Sequence, residues 1–170
     1  MKDFILKFKV NDYSMFNEFY KMTSKQVYFT ALGVLKDHSL AEDILQDTYV
    51  TFLNNIDNVK ENQNIYAYLT MIARNKSLNL LKENKRLVFD EDIIRNITYQ
   101  TDKNQYSDVD QILSYLDSQE DREIIIYHVL LDYKFKDIAK IIKKPLGTVL
   151  WKYNKAMKYL KERIGEIYEQ

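Results

Sequence analysis

Lys152, Lys155, Lys158 and Lys161 follow one another at three-residue intervals, with no acidic residue among them. Ammonium groups spaced this way along a helix suit the neutralisation of phosphates. The segment that carries them, Thr148–Leu160, follows a second helix-like pattern, Phe135–Ile142, which holds Lys136 and Lys140. Between the two stand Pro145, the chain's only proline, and Gly147, one of its three glycines. Two short helices joined by a tight turn, the second rich in lysine, read as a DNA-binding helix-turn-helix. Val149, Tyr153, Ala156 and Leu160 recur at i, i+4, i+7 and i+11 and should face inward. Leu150, Trp151, Lys152 and Lys155 are then left to project from the early turns, where base edges would be met. Ala139 is small where two helices must approach, and Pro145 suits a first-turn position. Gly147 would admit a close neighbour, either a helix or a phosphate. The same spacing also fits a structural helical hairpin with a lysine-rich surface.

Two further groups of residues could bind a partner. Lys60, Asn62, Asn64, Tyr66 and Tyr68 precede Arg74, Asn75, Lys76, Asn79, Lys82, Lys85 and Arg86. Tyrosines beside amides and cations suit single-stranded DNA, because rings stack on unpaired bases and amides can read a base edge. Tyr66 and Tyr68 fit equally as edge residues of an amphipathic helix. Asp43, Gln46 and Asp47 share one helix face and could dock a basic protein helix. Acids near a helix N-terminus are also favoured by the macrodipole alone.

Catalysis has little support. His38 and His128 stand far apart, and neither belongs to a metal-binding spacing. The chain has no cysteine, hence no disulfide and no thiolate metal site. Its glycines, at 33, 147 and 165, form no phosphate-binding loop. No enzyme, cofactor or metal is expected.

The elements that must position these groups are helical. Of the 170 residues 46% are apolar, and three glycines with one proline are too few to punctuate a β-sandwich or barrel. Helices are expected at about Tyr13–Leu35, from a Ser39/Glu42 capping box to about Asn54, and at Ile65–Lys85. Inward positions are Phe16, Phe19, Tyr20, Val27, Ala31 and Val34; then Ile44, Leu45, Thr48 and Phe52; then Leu69, Ile72, Ala73, Leu80 and Leu81. Asn55–Asn64 reads as a loop. From Leu87 the periodicity fails and acids gather, although Phe89, Ile93, Ile94 and Ile97 suggest some packing. Ser118 should cap a helix through Ile124, Ile125, Val129 and Leu130. The expectation is all-α: a three-helix domain at 1–88, an acidic linker at 89–111, and a helix-turn-helix domain at 112–170.

Net charge is zero, but it is distributed in blocks. Residues 134–163 hold ten basic and two acidic side chains, a net +8, and residues 64–86 hold five and one, a net +4. Residues 37–61 are at −5, from one basic and six acidic, and residues 87–121 at −7, from two and nine. Two cationic and two anionic surfaces imply different partners. The first ten residues lack the apolar core of a secretory leader, and no run is long enough to span a membrane. A cytoplasmic location is expected.

In order and spacing, these blocks resemble a bacterial RNA polymerase sigma factor of the extracytoplasmic-function type, which keeps only regions 2 and 4. Leu40-Ala-Glu-Asp-Ile-Leu-Gln-Asp-Thr-Tyr49 is similar to the family's AEDLVQETF helix. Tyr68-Leu-Thr-Met-Ile-Ala-Arg-Asn75, leading to Leu80-Leu-Lys-Glu-Asn-Lys-Arg86, resembles WLxxIARN…DLLRRxxR. The run from Gly147 to Leu160 resembles GTVKSRLxRARxxL. The likeness covers roughly residues 10–86 and 112–163.

The resemblance implies that Asp43, Gln46 and Asp47 bind the clamp helices of the polymerase's largest subunit. It places a flipped base of the −10 element in the loop from Lys60 to Tyr66, through Asn62 and Asn64 with Tyr68 beside it. Arg74, Asn75, Asn79 and Lys82 would contact the −10 duplex and backbone. Thr148, Leu150, Trp151, Lys152 and Lys155 would meet the −35 element. The implied role is an alternative sigma factor that joins core RNA polymerase and directs promoter recognition, melting and initiation. The implied partners are core polymerase, promoter DNA as duplex and as melted strand, and an anti-sigma protein.

Tyr68 stands where the family usually has Trp, and Asn79 where it often has Asp. Leu150-Trp151-Lys152 replaces Lys-Ser-Arg, while Lys155 and Met157 replace arginines. Lysine lacks the planar fork that reads guanine, and Trp151 and Leu150 offer apolar contact to thymine methyls. An AT-leaning or weakly required −35 element is therefore expected. Loss of Lys152 and Lys155 should flatten the salt dependence of −35 binding, by about 0.9 in slope per phosphate contact. The alternative is a helix-turn-helix regulator that does not join the polymerase, which leaves the first 86 residues without a role.

Overall fold

Apolar residues recur at helical spacing along most of the chain, and few residues stop a helix. In the computed structural model, which describes residues 1–90 and 107–168, all regular structure among the described residues is helical. The chain divides into two compact units, Met1–Thr98 and Tyr99–Gln170. Ile93, Ile94 and Ile97 of the expected linker lie outside the described residues.

The first unit contains α1 (Lys2–Lys9), α2 (Phe16–Leu35), α3 (His38–Asn54), a 3-10 turn at Ile56–Asn58, and α4 (Ile65–Asp90). Helix α1 was not among the expected elements; Phe4, Ile5 and Phe8, at i, i+1 and i+4, are buried on it. Helix α2 starts three residues later than expected, after a turn in which the Ser14 amide donates to Asp12 (3.0 Å). It stops at Lys36, which adopts a left-handed conformation. The cap of α3 also differs from expectation. Asp37, not Ser39, is the N-cap, and its carboxylate accepts from the Leu40 amide at 2.8 Å. Asp37 has the extended backbone an N-cap needs, whereas Ser39 already lies inside the helix.

Aromatic rings fill the core of this unit. Phe19 stacks on Phe52 with centroids 5.3 Å apart, and Phe8 meets both rings edge-on. Tyr49 packs edge-on against Phe19, and its hydroxyl shares a 2.6 Å hydrogen bond with Thr23. Leu69, Ile72 and Ala73 bury the inner face of α4, while Leu80 and Leu81 are only half-buried.

The second unit contains α5 (Ser107–Ser114), α6 (Gln119–Ile125), a π-helical turn at Ile126–Leu130, α7 (Phe135–Ile142) and α8 (Leu146–Tyr168). Residues 107–111, expected in the linker, belong to α5. Ser118 caps α6 as expected, accepting from the Asp121 amide at 3.4 Å. The π turn, closed by a bond from the Leu131 amide to the Ile126 carbonyl, shifts the register of this segment. Val129, expected inward, is 55% exposed as a result.

Ile124, Tyr127, Ile138, Ile142 and Val149 form the core that joins α6, α7 and α8. Helix α7 stops at Lys143, whose left-handed backbone turns the chain two residues before Pro145. Pro145 precedes α8, not within its first turn as expected, and its carbonyl accepts from the Val149 amide (3.1 Å). Gly147 is helical, and a Cβ added there would meet nothing within 4 Å. The close helix approach that its identity suggested is therefore not present.

Candidate nucleic-acid interface

The candidate groups on α3 and α4 are displayed because the opposite faces of these helices are buried. On α3, Ala41, Ile44, Leu45, Thr48, Tyr49 and Phe52 face the core. Asp43, Gln46 and Asp47 are exposed on the other side, next to Val50, which is 56% exposed. Asp47 pairs with Lys76 of α4 at 3.0 Å.

The loop before α4 is pinned at both ends by Val59 and Ile65, each almost fully buried. Within it the Lys60 amide donates to the Gln63 side chain (3.2 Å), and Lys2 of α1 pairs with Glu61 at 2.9 Å. Asn64 accepts from the Ala67 amide at 3.1 Å, so its side-chain oxygen serves the first turn of α4. Lys60 and Asn62 are exposed. Tyr66 and Tyr68 are half-buried, and Tyr68 packs edge-on against Phe52.

Gln26 of α2, which sequence reasoning passed over, donates to the Tyr66 carbonyl at 2.7 Å and to the Thr70 hydroxyl. It ties the start of α4 to α2. Thr23, Gln26 and Thr30 fall on the inward stripe of α2, and polar residues there were the available signal. Further along α4, Asn75, Asn79 and Lys82 are exposed and Arg74 is half-buried. Met71, 51% exposed one turn before Asn75, adds an apolar patch to this stripe.

In the second unit an aromatic box positions α8. His128 stacks on Phe135 with centroids 4.0 Å apart, and both rings meet Tyr153 edge-on at 4.9 Å. Nδ1 of His128 donates to the Tyr133 carbonyl at 2.9 Å, which fixes the ring. Arg122, another residue missed from sequence, is buried and donates to the carbonyls of Leu116 (2.7 Å) and Asp117 (2.8 Å). It thereby closes the turn between α5 and α6.

At the start of α8, Trp151 is 61% exposed, Leu150 is also exposed, and Thr148 is half-buried. Lys155 is exposed, with Nζ 5.3 Å from the centre of the Trp151 ring. Lys152 is placed differently, pairing with Asp121 at 3.1 Å and Glu120 at 3.3 Å. The structure thus groups Thr148, Leu150, Trp151 and Lys155 at one helix end and turns Lys152 toward α6. No group of three or more potential metal-binding side chains occurs among the described residues, and no described helix is long and apolar enough to cross a membrane.

Comparison with known proteins bears on these surfaces. The family model described as Sigma-70 region 2 matches residues 19–87, which run through α2, α3 and α4. Those residues are thus similar to a Sigma-70 region 2 domain. Over a longer stretch, the chain is 25% identical over 156 residues to the ECF RNA polymerase sigma factor SigM of Bacillus subtilis (strain 168). That alignment covers 86% of this chain and 95% of SigM. It is 27% identical over 130 residues to the ECF RNA polymerase sigma factor EcfG of Rhodopseudomonas palustris (strain TIE-1), covering 74% and 72% of the two chains.

The fold matches the sigma factor RpoE of Bartonella quintana, solved with the anti-sigma factor NepR, at a TM-score of 0.73 and 24% identity. The match covers 88% of this chain and 96% of RpoE. CnrH, solved with the cytosolic domain of CnrY, gives 0.68 and 16% identity over 97% of each chain. The likeness read from three short motifs is thus met by a region 2 match over residues 19–87 and by similarity to sigma factors over the larger part of the chain.

Proposed function

We propose that the chain is an alternative sigma factor that joins core RNA polymerase and directs promoter recognition and melting. The observation that carries this reading is the coincidence of the region 2 match with α2–α4, the helices that display both candidate faces. In this reading Asp43, Gln46 and Asp47 dock the polymerase through the exposed side of α3. Lys60, Asn62 and Asn64, with Tyr66 and Tyr68, line the loop that holds an unpaired −10 base. Arg74, Asn75, Asn79 and Lys82 follow the −10 backbone. Thr148, Leu150, Trp151 and Lys155 meet the −35 duplex, where Gly147 leaves room for a phosphate beside the first turn of α8. The assignment of α1–α4 to a region 2-like domain and of α5–α8 to a region 4-like domain belongs to the same proposal. So does an anti-sigma partner, because RpoE was solved bound to one.

The test is transcription from a pre-melted promoter template by core polymerase mixed with the purified chain. Specific transcripts that Asp43→Arg abolishes are expected. Duplex binding without core polymerase, and no transcripts with it, would instead identify a regulator that does not join the enzyme. Stable association with core polymerase and no initiation would leave only a docking role.

A further inference from the structure

Lys152 belongs to the lysine series that suggested DNA binding, yet its ammonium lies between two carboxylates of the same chain. Nζ is 3.1 Å from Asp121 Oδ1 and 3.3 Å from Glu120 Oε2. The other oxygen of Glu120 takes Lys144, in the turn between α7 and α8, at 3.0 Å. The side chain of Lys152 is 20% exposed and that of Asp121 16%, so water screens this pair less than a surface pair. Two acids in the first turn of α6 therefore hold both the turn before α8 and the second turn of α8 itself.

A phosphate reaching Lys152 would meet an ammonium already paired with two carboxylates, and would have to displace them or sit beside them against their repulsion. Either way it gains less than contact with a solvated lysine. Lys155, one turn on, is exposed and rests over the Trp151 ring. Burial works against the charge on Lys152, but hydrogen bonds to Asp121 and Glu120 prevail and raise its pKa. The residue stays cationic throughout the neutral range.

We infer that Lys152 is a positioning residue through which Glu120 and Asp121 fix the recognition helix, and that Lys155 is the lysine that meets phosphate. This deepens the promoter-binding reading and rests on it. It also revises the expectation that Lys152 and Lys155 contribute alike to salt dependence.

The experiment measures binding of the full chain to a short mixed-sequence DNA duplex as a function of salt. Lys155→Gln should lower the slope of log Kobs against log salt by about 0.9. Lys152→Gln should weaken binding several-fold with the slope unchanged, and Lys152→Arg, which keeps both pairs, should restore it. Combined Glu120→Gln and Asp121→Asn should weaken binding as Lys152→Gln does. The inference is overturned if Lys152→Gln flattens the slope as much as Lys155→Gln does. Removal of the two acids that tightens binding and steepens the slope would overturn it too, by exposing a masked contact.

Thermal unfolding without DNA judges the positioning role separately. Lys152→Gln and the two acid substitutions should each lower the melting temperature, and together by no more than the larger single effect. Fully additive lowering would refute the clamp. A wild-type chain that binds no duplex while unfolding still shows this coupling would count against the promoter reading and leave the clamp standing.

Discussion

Helices α4 and α8 are both rich in cations and both packed on apolar residues, but they differ in how firmly their own unit holds that charge. Helix α4 is anchored by apolar packing: Leu69, Ile72 and Ala73 bury its inner face, and Gln26 fixes its first turn. Its outer stripe of Asn75, Asn79 and Lys82 is left exposed. Helix α8 buries Val149, Ala156 and Leu160, but part of its positive charge is spent within the unit, where Lys152 is clamped by Glu120 and Asp121. Lysine content alone therefore overstates the charge that α8 can offer to DNA. A basic residue already held by acids of its own fold offers less to a nucleic-acid surface than a solvated one.

The core of the first unit offers the strongest way to break this comparison. Phe19 is fully buried between Phe8, Phe52 and Tyr49, so Phe19→Ala should cost about 3–5 kcal/mol. Hydrogen exchange resolved by segment should show lost protection in α2–α4, with α6–α8 unchanged. Equal loss in both units would mean that their cores are not separate.

Alkaline pH is the next lever. Burial pushes the Tyr49 hydroxyl up to about 12, against a hydrogen bond shared with Thr23 that works the other way. The folded pKa lies above the unfolded one, so the folded state keeps its proton longer. Stability from this group is complete below about pH 10 and is lost as pH rises from there toward 12, by roughly 2–3 kcal/mol. Urea unfolding across that range should show the loss, and Tyr49→Phe should reduce it. An unchanged pH profile in Tyr49→Phe would remove Tyr49 as the cause.

A smaller effect is expected at the head of α3. Asp37→Ala removes the cap on the Leu40 amide and should cost about 1 kcal/mol in urea unfolding. Asp37→Asn keeps an accepting oxygen and should cost less. If Ser39→Ala is the more damaging change, the serine caps after all.

These assignments show what could be read from the residues. The stripes Ile44–Leu45–Thr48–Phe52 and Val149–Tyr153–Ala156–Leu160 specify α3 and α8 because helical periodicity is a local property. Helix α1 is too short for its Phe4, Ile5 and Phe8 to establish a helical period on their own. Asp37 and Ser39 are both good caps, and the choice depends on where Lys36 turns the chain. The π turn has no local signature, so Val129 was placed on the wrong side. Among the candidate contacts, residue type and exposure could be inferred for Asp43, Asn75 and Lys155. The pairing of Lys152 could not be, because Asp121 is brought to it by packing of α6 against α8, 31 residues away.

Lys76 and Asp47 provide the sharpest control on that last point. They form the first unit's counterpart of the clamp, a 3.0 Å pair between α4 and α3, but Asp47 is 62% exposed. Exposed pairs of this kind contribute about 0.2–1 kcal/mol, since water screens the attraction and two long side chains lose freedom. A double-mutant cycle of Lys76→Gln and Asp47→Asn should therefore give a coupling in that range that fades at high salt. The corresponding cycle on Lys152 and Asp121 should give a larger coupling that salt reduces less, because that pair is more shielded. Equal couplings with equal salt dependence would mean that shielding by α6 adds nothing. The two basic helices would then not differ in how firmly their own units hold that charge.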